Sequence, residues 1–169
     1  MVKKKTALVL IHLSSLDSFA DFFRDEDPKF TGTYALAARL TEAAIKHDGP
    51  VVIADQDWAA AGPHSRPRFM FEQALKRSGR KVTRIHFDED ESDWDPFLAK
   101  LRKTLERLGV ERVILGGVWF DPGEAGGCVT ATYQYLKLFF TTTVASDLVG
   151  CEDDMAPWHP EVWTYAKAL

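Results

Sequence analysis

Cys128 is the residue of this sequence best placed to do chemistry. It follows the glycine pair Gly126-Gly127 and opens a predicted helix soon after a buried strand and a turn. Glycines let the chain bend sharply and let its backbone approach a ligand closely. Free N–H groups and the helix dipole favour an anion at a helix start, so a thiol there is expected to have a lowered pKa and to react as the thiolate. The same N–H groups would stabilise the oxyanion formed when sulfur attacks a carbonyl carbon.

A structural role is the alternative for Cys128, because free cysteine is among the residue types most often buried in protein cores. The second cysteine, Cys151, is followed by the acidic residues 152–154. Neighbouring negative charge disfavours a thiolate, so Cys151 is interpreted as incidental. Its position alone does not decide whether Cys128 is a nucleophile or a core residue.

The elements that must position this cysteine are alternating strands and helices. Apolar runs predict five buried strands: Thr6–Leu13, Val51–Ala54, Lys81–Phe87, Arg112–Val118 and Phe139–Ala145. Helical spacing of apolar residues predicts helices at Tyr34–Lys46, Phe69–Ser78, Pro96–Leu108 (with Asp95 as N-cap), Cys128–Leu138 and Glu161–Ala168. The crossovers are long enough for parallel pairing. The pattern predicts one α/β domain over residues 1–169, a three-layer α/β/α fold with a Rossmann-like parallel sheet.

Ligands in such sheets bind beyond the carboxyl ends of the strands. The residues that this rule selects are His12, Asp55–Asp57, His86, Val118–Cys128 and Asp147, which is expected just past the last strand. Trp119 and Phe120 stand out, because the turn beside Cys128 is expected to project them toward the site. With Val118, Asp57 and His86 they form the predicted substrate-binding set.

Composition excludes several classes of partner. The formal net charge is −4, and the basic cluster Lys3–Lys5 simply precedes the first strand, so no nucleic-acid binding is expected. No apolar run approaches the roughly 20 residues of a membrane span, and no cleavable signal pattern is present. Two cysteines make no disulfide framework, so a cytoplasmic location is expected. The apolar C-terminal segment favours a homo-oligomer.

The residues around Cys128 resemble a family signature. Gly117-Val118-Trp119-Phe120-Asp121, followed by Gly127-Cys128-Val129 and Thr132, is similar to the GVxxD turn and G-C-V-x-x-T helix start of the isochorismatase-like cysteine hydrolases. Gln56-Asp57-Trp58, with His64 and Phe69 after it, resembles the D-W-H-P and H-x-S-F stretches of nicotinamidases. The resemblance covers residues 6 to 150. It implies an oligomeric hydrolase of small amides with an Asp–Lys–Cys triad, in which Cys128 matches the nucleophile. Val118-Trp119 matches the place where a non-proline cis peptide usually shapes the oxyanion hole.

The chain departs from that family pattern at both partners of the nucleophile. His12 stands where the proton-accepting aspartate closes the first strand, and the lysine expected after the third strand is missing from Arg84 to Asp88. A cysteine–histidine pair is competent chemistry, since histidine can take the thiol proton near neutral pH. A buried, merely hydrogen-bonded His12 is the alternative.

Two further departures concern the loop and the metal site. Residues 122–126 are an insertion in the loop that matches the oxyanion hole. Asp57 matches one metal ligand of the nicotinamidases, but Ala59 replaces the histidine two residues on, and His64 with Asp57 gives too few ligands for zinc. No metal and no other cofactor are therefore expected.

The leading hypothesis is a hydrolase of a small amide or related carbon–nitrogen bond, with Cys128 as nucleophile and His12 as base. Its rival is a non-catalytic protein of the same fold that binds a small molecule or a partner protein, in keeping with the lost triad. A third interpretation treats the resemblance as accidental and keeps only the α/β sheet.

Overall fold

Six parallel strands form one sheet in the computed structural model, which describes residues 5–17, 32–56, 66–87, 94–118, 127–150 and 162–169. The strands are β1 (Thr6–Ile11), β2 (Val51–Gln56), β3 (Thr83–Phe87), β4 (Arg112–Gly117), β5 (Thr141–Val149) and β6 (Val162–Trp163). Their order in the sheet is β3-β2-β1-β4-β5-β6. This is the doubly wound arrangement, and it confirms the predicted α/β fold class.

The helices cover both faces of the sheet. They are α1 (Gly32–Lys46), α2 (Pro67–Ser78), α3 (Asp95–Arg107), α4 (Cys128–Leu136) and the single turn α5 (Tyr165–Ala168). No helix within the described ranges is long and apolar enough to cross a membrane.

Alternate residues of the central strands supply two separate cores. Ala7, Val9 and Ile11 of β1 pack with the buried residues of α3 and α4, a group that we call the α3/α4 core. Leu8 and Leu10 pack with α1 and α2 in the α1/α2 core. Because successive strand residues point to opposite faces, an almost wholly apolar β1 is what two covered faces require.

The centre of the sheet is the point where the chain reverses its winding direction. From β1 the chain proceeds to β2 on one side, and from β4 it proceeds to β5 on the other. The two crossovers leave a crevice at the carboxyl ends of β1 and β4, which is where ligands bind in folds of this kind. His12 follows β1 directly, and Val118 follows β4.

Gly117 allows β1 and β4 to approach closely at this crevice. It pairs with Ile11 in the ladder and has φ +133°. A Cβ atom there would overlap the Ile11 carbonyl oxygen. The next residue, Val118, donates its backbone N–H to the same oxygen at 3.1 Å. The glycine therefore lets the hydrogen bonding between the strands continue to the edge of the crevice.

Several predicted boundaries were wrong. The segment after β5 was expected to form one helix over 161–168, but Val162 and Trp163 pair with Val144 and Ala145 as a sixth strand, because an open sheet edge offers backbone partners. The fifth strand begins at Thr141, since residues 138–140 form the turn that ends α4. It continues to Val149 through a register shift against β4, so Asp147 lies inside β5 and not just past its end.

The start of α3 also differs from the prediction. Asp95 is the first residue of α3, and Trp94 is its N-cap.

The C-terminal turn docks at the amino end of the sheet through a buried histidine. His47 Nε2–H donates to the Thr6 carbonyl at 3.0 Å, which leaves Nδ1 to accept from the Tyr165 hydroxyl at 2.7 Å. The Tyr165 backbone N–H donates to Asp147 Oδ1 at 2.7 Å. Burial raises the pKa of Tyr165 to about 12, with Asp48 and Asp147 adding to the effect, so its hydroxyl stays protonated as this contact requires.

This contact predicts a dependence of stability on pH. Burial, opposed by the hydrogen bond to Thr6, lowers the pKa of His47 below its ordinary 6.5; Arg80 lowers it further and Asp48 raises it. The unfolded chain then takes up a proton at a higher pH than the folded chain, so the free energy of unfolding falls as pH drops from about 7 to 5. In urea unfolding at both pH values, His47→Gln is expected to flatten this dependence. His86→Gln, an exposed histidine on β3, is expected to retain it; an equal effect of both variants would contradict the assignment.

The close approach at Gly117 predicts a large effect of one methyl group. Gly117→Ala is expected to lower the free energy of unfolding by about 2–4 kcal/mol, because it adds both backbone strain and a steric overlap with β1. Gly79→Ala is the matched control, since Gly79 has φ +68° but nothing within 4 Å of an added Cβ. Its cost is expected to be about 1 kcal/mol from conformation alone. Similar losses for both variants in urea unfolding would show that the overlap carries no cost.

Candidate functional site

Cys128 and His12 meet at the crevice between β1 and β4. His12 Nδ1 lies 3.0 Å from Cys128 Sγ, although the two residues are 116 positions apart in the chain. That distance is within hydrogen-bond reach of a thiol and an imidazole. The structure thus brings together the two residues predicted as nucleophile and base, and their catalytic roles stay a prediction.

An unusual backbone conformation directs His12 toward Cys128. Continued alternation along β1 would place His12 with Leu8 and Leu10, on the side of the α1/α2 core. Cys128 packs against the opposite, α3/α4 core. His12 has φ +60°, a left-handed conformation that is uncommon for residues other than glycine, and its ring contacts Cys128. The chain therefore turns at the residue that approaches the thiol, where strain is often found in functional sites.

Backbone and side-chain hydrogen bonds hold this turn. The N–H of His12 donates to the Ala54 carbonyl of β2 at 2.9 Å, and the His12 carbonyl accepts from the N–H of Ser15 at 3.0 Å. Between them, the N–H of Ser14 donates to Oδ1 of Asp55 at 3.0 Å. Asp55 is 3% exposed, and its Oδ2 lies 3.8 Å from the Arg68 guanidinium. The end of β2 thus fixes the residues that follow β1.

Cys128 is the first residue of α4, as the sequence predicts. Gly127 is its N-cap, in an extended conformation and with no side-chain hydrogen bond to the helix start. The first helical hydrogen bond runs from Ala131 N–H to the Gly127 carbonyl at 2.8 Å. The hydroxyl of Thr132, which is fully buried, donates to the Cys128 carbonyl at 2.8 Å. The cysteine and threonine of the G-C-V-x-x-T pattern therefore share one contact within the helix.

The electrostatics of Cys128 differ from the prediction. Burial raises the pKa of the thiol to about 11, and the opposing effect of its own backbone N–H is smaller. The expected lowering of the pKa by the helix start was wrong, because desolvation of a thiolate outweighs that hydrogen bond here. At neutral pH the site holds a protonated thiol beside an imidazole nitrogen.

Trp94 forms a wall of the site. Its ring meets the His12 ring edge to face, with 6.3 Å between centroids, and meets Phe97 in the same manner at 5.2 Å. Trp94 and Cys128 both pack against the α3/α4 core. The sequence gives Trp94 no more than a packing role by default, because its position before α3 shows nothing of its proximity to β1.

The remaining predicted residues are spread more widely. Val118 is fully buried and its side chain packs in the α1/α2 core, on the other side of the sheet from Cys128. His86 pairs with Asp55 at the end of β3, two strands from β1 or about 10 Å across the sheet. Its carbonyl accepts from Lys100 Nζ at 3.1 Å. Asp57, Trp119 and Phe120 lie outside the described residues, as do His64, Cys151 and the insertion 122–126.

Asp55 is the residue whose contribution sequence reasoning missed. It falls within the selected stretch 55–57, but no role follows from the pattern alone. The available signal is a carboxylate immediately after the apolar run of a buried strand, where burial requires partners. As for metals, the described ranges contain no group of three or more His, Cys, Asp or Glu side chains that could hold an ion.

Comparison with known proteins supports the fold. No family model matches the sequence, and no curated protein matches it. Among solved structures, the chain is similar to the crystal structure of a putative isochorismatase hydrolase from Oleispira antarctica, with a TM-score of 0.51 and 15% sequence identity. The match covers 88% of this chain and 77% of that chain. At this identity the likeness shows an isochorismatase-like fold.

The raised pKa of Cys128 predicts a pH profile for thiol reactivity. In a Cys151→Ser background, thiolate absorbance near 240 nm and iodoacetamide alkylation of Cys128 are both expected to rise around a midpoint of about pH 11. The difference between this protein and the same background carrying Cys128→Ala isolates the signal. A midpoint at or below that of free cysteine, about 8.5, would contradict the burial effect.

Proposed function

We propose that this chain is a cysteine hydrolase of a small amide or a related carbon–nitrogen bond, with Cys128 as nucleophile and His12 as general base. The observation that carries the proposal is the 3.0 Å contact between His12 Nδ1 and Cys128 Sγ. The contact lies at the start of α4 and at the carboxyl ends of the central strands, where a ligand would meet both groups. The isochorismatase-like fold supports the choice of reaction class.

In the proposed reaction the thiol is activated only during attack. Cys128 Sγ forms a bond with the amide carbonyl carbon while its proton passes to His12 Nδ1. This order follows from the pKa of about 11, because a resting thiolate is scarce at neutral pH and a partner within hydrogen-bond reach must remove the proton. The nucleophile and the base are both neutral before the attack. The proposed mechanism therefore needs neither the aspartate nor the lysine of the family pattern.

The start of α4 would stabilise the charge that forms on the substrate oxygen. The backbone N–H groups of Cys128 and Val129 precede the first helical hydrogen bond, and Gly127 presents no capping side chain. Such groups and the helix dipole favour an oxyanion. Collapse of the intermediate breaks the carbon–nitrogen bond, and the His12 proton leaves with the nitrogen. Water, deprotonated by His12, then cleaves the thioester to give a carboxylic acid and restores the thiol.

A non-catalytic protein of the same fold that binds a small ligand or a partner protein is the second candidate. The observation that favours it is the raised pKa of Cys128, since burial of an unreactive thiol is typical of structural cysteines. On this view, the His12–Cys128 contact is a hydrogen bond that shapes a binding site. The two candidates differ in whether a covalent acyl adduct ever forms on sulfur.

Substitution at each partner tests the hydrolase proposal. Ammonia release from a panel of small carboxamides is measured together with the intact mass of acid-quenched protein. His12→Gln is expected to lower kcat/KM by about 10²- to 10⁴-fold, because glutamine cannot take the proton. Cys128→Ala is expected to abolish turnover and the acyl adduct. His47→Gln makes the same change in a buried histidine at the amino end of the sheet and is expected to keep kcat/KM within a few-fold at pH 8.

Two results would reject the hydrolase proposal. One is turnover by Cys128→Ala at the unsubstituted rate. The other is the absence of ammonia release and of any adduct across the panel, combined with a thermal shift of the unsubstituted protein by one of the same compounds. That combination would favour the binding protein.

A further inference from the structure

Asp55 occupies a specific place relative to the His12–Cys128 pair. Its carboxylate accepts the N–H of Ser14, two residues after His12, at 3.0 Å. In the parallel ladder Ala54 pairs with Ile11, so Asp55 stands level with His12 on the neighbouring strand. The contact is not part of the backbone ladder between β1 and β2. It joins the side chain of Asp55 on β2 to the backbone of the turn that follows β1.

The turn needs such a contact because His12 is strained. A left-handed backbone conformation at a residue other than glycine is sterically unfavourable and persists only where the surroundings fix it. If the turn relaxed to an extended course, His12 would follow the alternation of β1 toward the α1/α2 core. Its ring would then leave Cys128, which packs against the α3/α4 core.

The turn is attached to its surroundings on both sides of Ser14. His12 donates to the Ala54 carbonyl at 2.9 Å on the near side. On the far side, Oδ1 of Asp17 accepts the backbone N–H of Arg68 at 3.1 Å, which ties the turn to the start of α2. The Asp55 contact is the attachment between these two. Asp55 is 3% exposed whereas Asp17 is partly exposed, so the Asp55 contact is better shielded from competing water than the Asp17 contact.

We infer that Asp55 is a positioning residue that holds the imidazole of His12 against Cys128 by accepting the Ser14 N–H. The acceptor oxygen performs this task, whereas the ion pair with Arg68 supports Asp55 from the other side at the longer distance of 3.8 Å. The inference rests on the His12–Cys128 pair of the proposed function. It concerns the geometry of that pair and does not require turnover.

The test is the environment of the His12 ring nitrogen. Two-bond ¹H–¹⁵N spectra of ¹⁵N-histidine-labelled protein, assigned with His12→Gln, report whether Nδ1 is hydrogen-bonded; Cys128→Ala gives the reference shift without the thiol. Asp55→Ala is expected to move the Nδ1 resonance to that reference position. Asp55→Asn keeps an acceptor oxygen and is expected to retain the unsubstituted shift. Arg68→Gln removes the ion pair but keeps the backbone N–H that Asp17 accepts, so it is expected to retain the shift as well.

Further variants separate positioning from general damage to the fold. Ser14→Ala removes the hydroxyl but keeps the N–H, so its Nδ1 resonance is expected to be unchanged. If Asp55→Ala does not fold, as judged by circular dichroism, Asp55→Ser takes its place, because its shorter side chain loses the contact without leaving an apolar surface.

Two outcomes would overturn the inference. A folded Asp55→Ala protein with the unsubstituted Nδ1 shift would show that the turn holds without Asp55. Loss of the shift in Asp55→Asn and Arg68→Gln would assign the effect to charge. Failure of the carboxamide assay with the expected Nδ1 shifts would remove the hydrolase proposal and leave the role of Asp55 standing.

Discussion

The close approach of β1 and β4 at their carboxyl ends determines where the candidate functional residues lie. Gly117 has no side chain to keep the strands apart, and its neighbour Val118 continues the hydrogen bonding to Ile11. The chain then leaves β1 and β4 in opposite directions, and the crevice opens between the two departures. His12 reaches this crevice from the end of β1, and Cys128 reaches it from the helix that follows β4. A wider separation of these strands would move the imidazole away from the sulfur.

Burial decides what kind of chemistry the pair can support. Cys128 packs against the α3/α4 core, as Trp94 does, and desolvation raises the pKa of its thiol to about 11. A separated thiolate and imidazolium would be costly in this environment without a ligand. The proposed mechanism therefore transfers the proton as the sulfur attacks, when the new charge appears on the substrate oxygen near the start of α4.

Much of the fold could be predicted from the sequence because each layer leaves a local pattern. Apolar runs such as residues 6–11 identify strands covered on both faces, and Gly127-Cys128 marks a helix start. The rule that ligands bind at carboxyl strand ends selected both His12 and Cys128. Local patterns say less about contacts between segments that are distant in the chain. The two-residue strand β6 forms because β5 has an open edge, and the periodicity of residues 161–168 does not reveal that edge.

The fine geometry of the site was less accessible to sequence reasoning, for two physical reasons. The left-handed conformation of His12 is imposed by hydrogen bonds from β2 and from the turn itself, whereas a histidine in isolation would avoid it. The thiol pKa depends on a balance between helix-start stabilisation and desolvation, and sequence shows the first contribution while burial controls the second.

These two features are coupled through the ends of the central strands. A neutral thiol needs a base at hydrogen-bond distance, since it supplies little thiolate on its own. The base comes from a strand whose alternation would direct it to the opposite face, so it reaches the thiol only through a strained turn. Strain of this kind persists only if neighbouring groups hold it, and Asp55 at the end of β2 is buried and accepts the N–H of Ser14 in the turn. The requirement for a nearby base thus extends beyond the pair, to a carboxylate on the adjacent strand that accepts the N–H of Ser14.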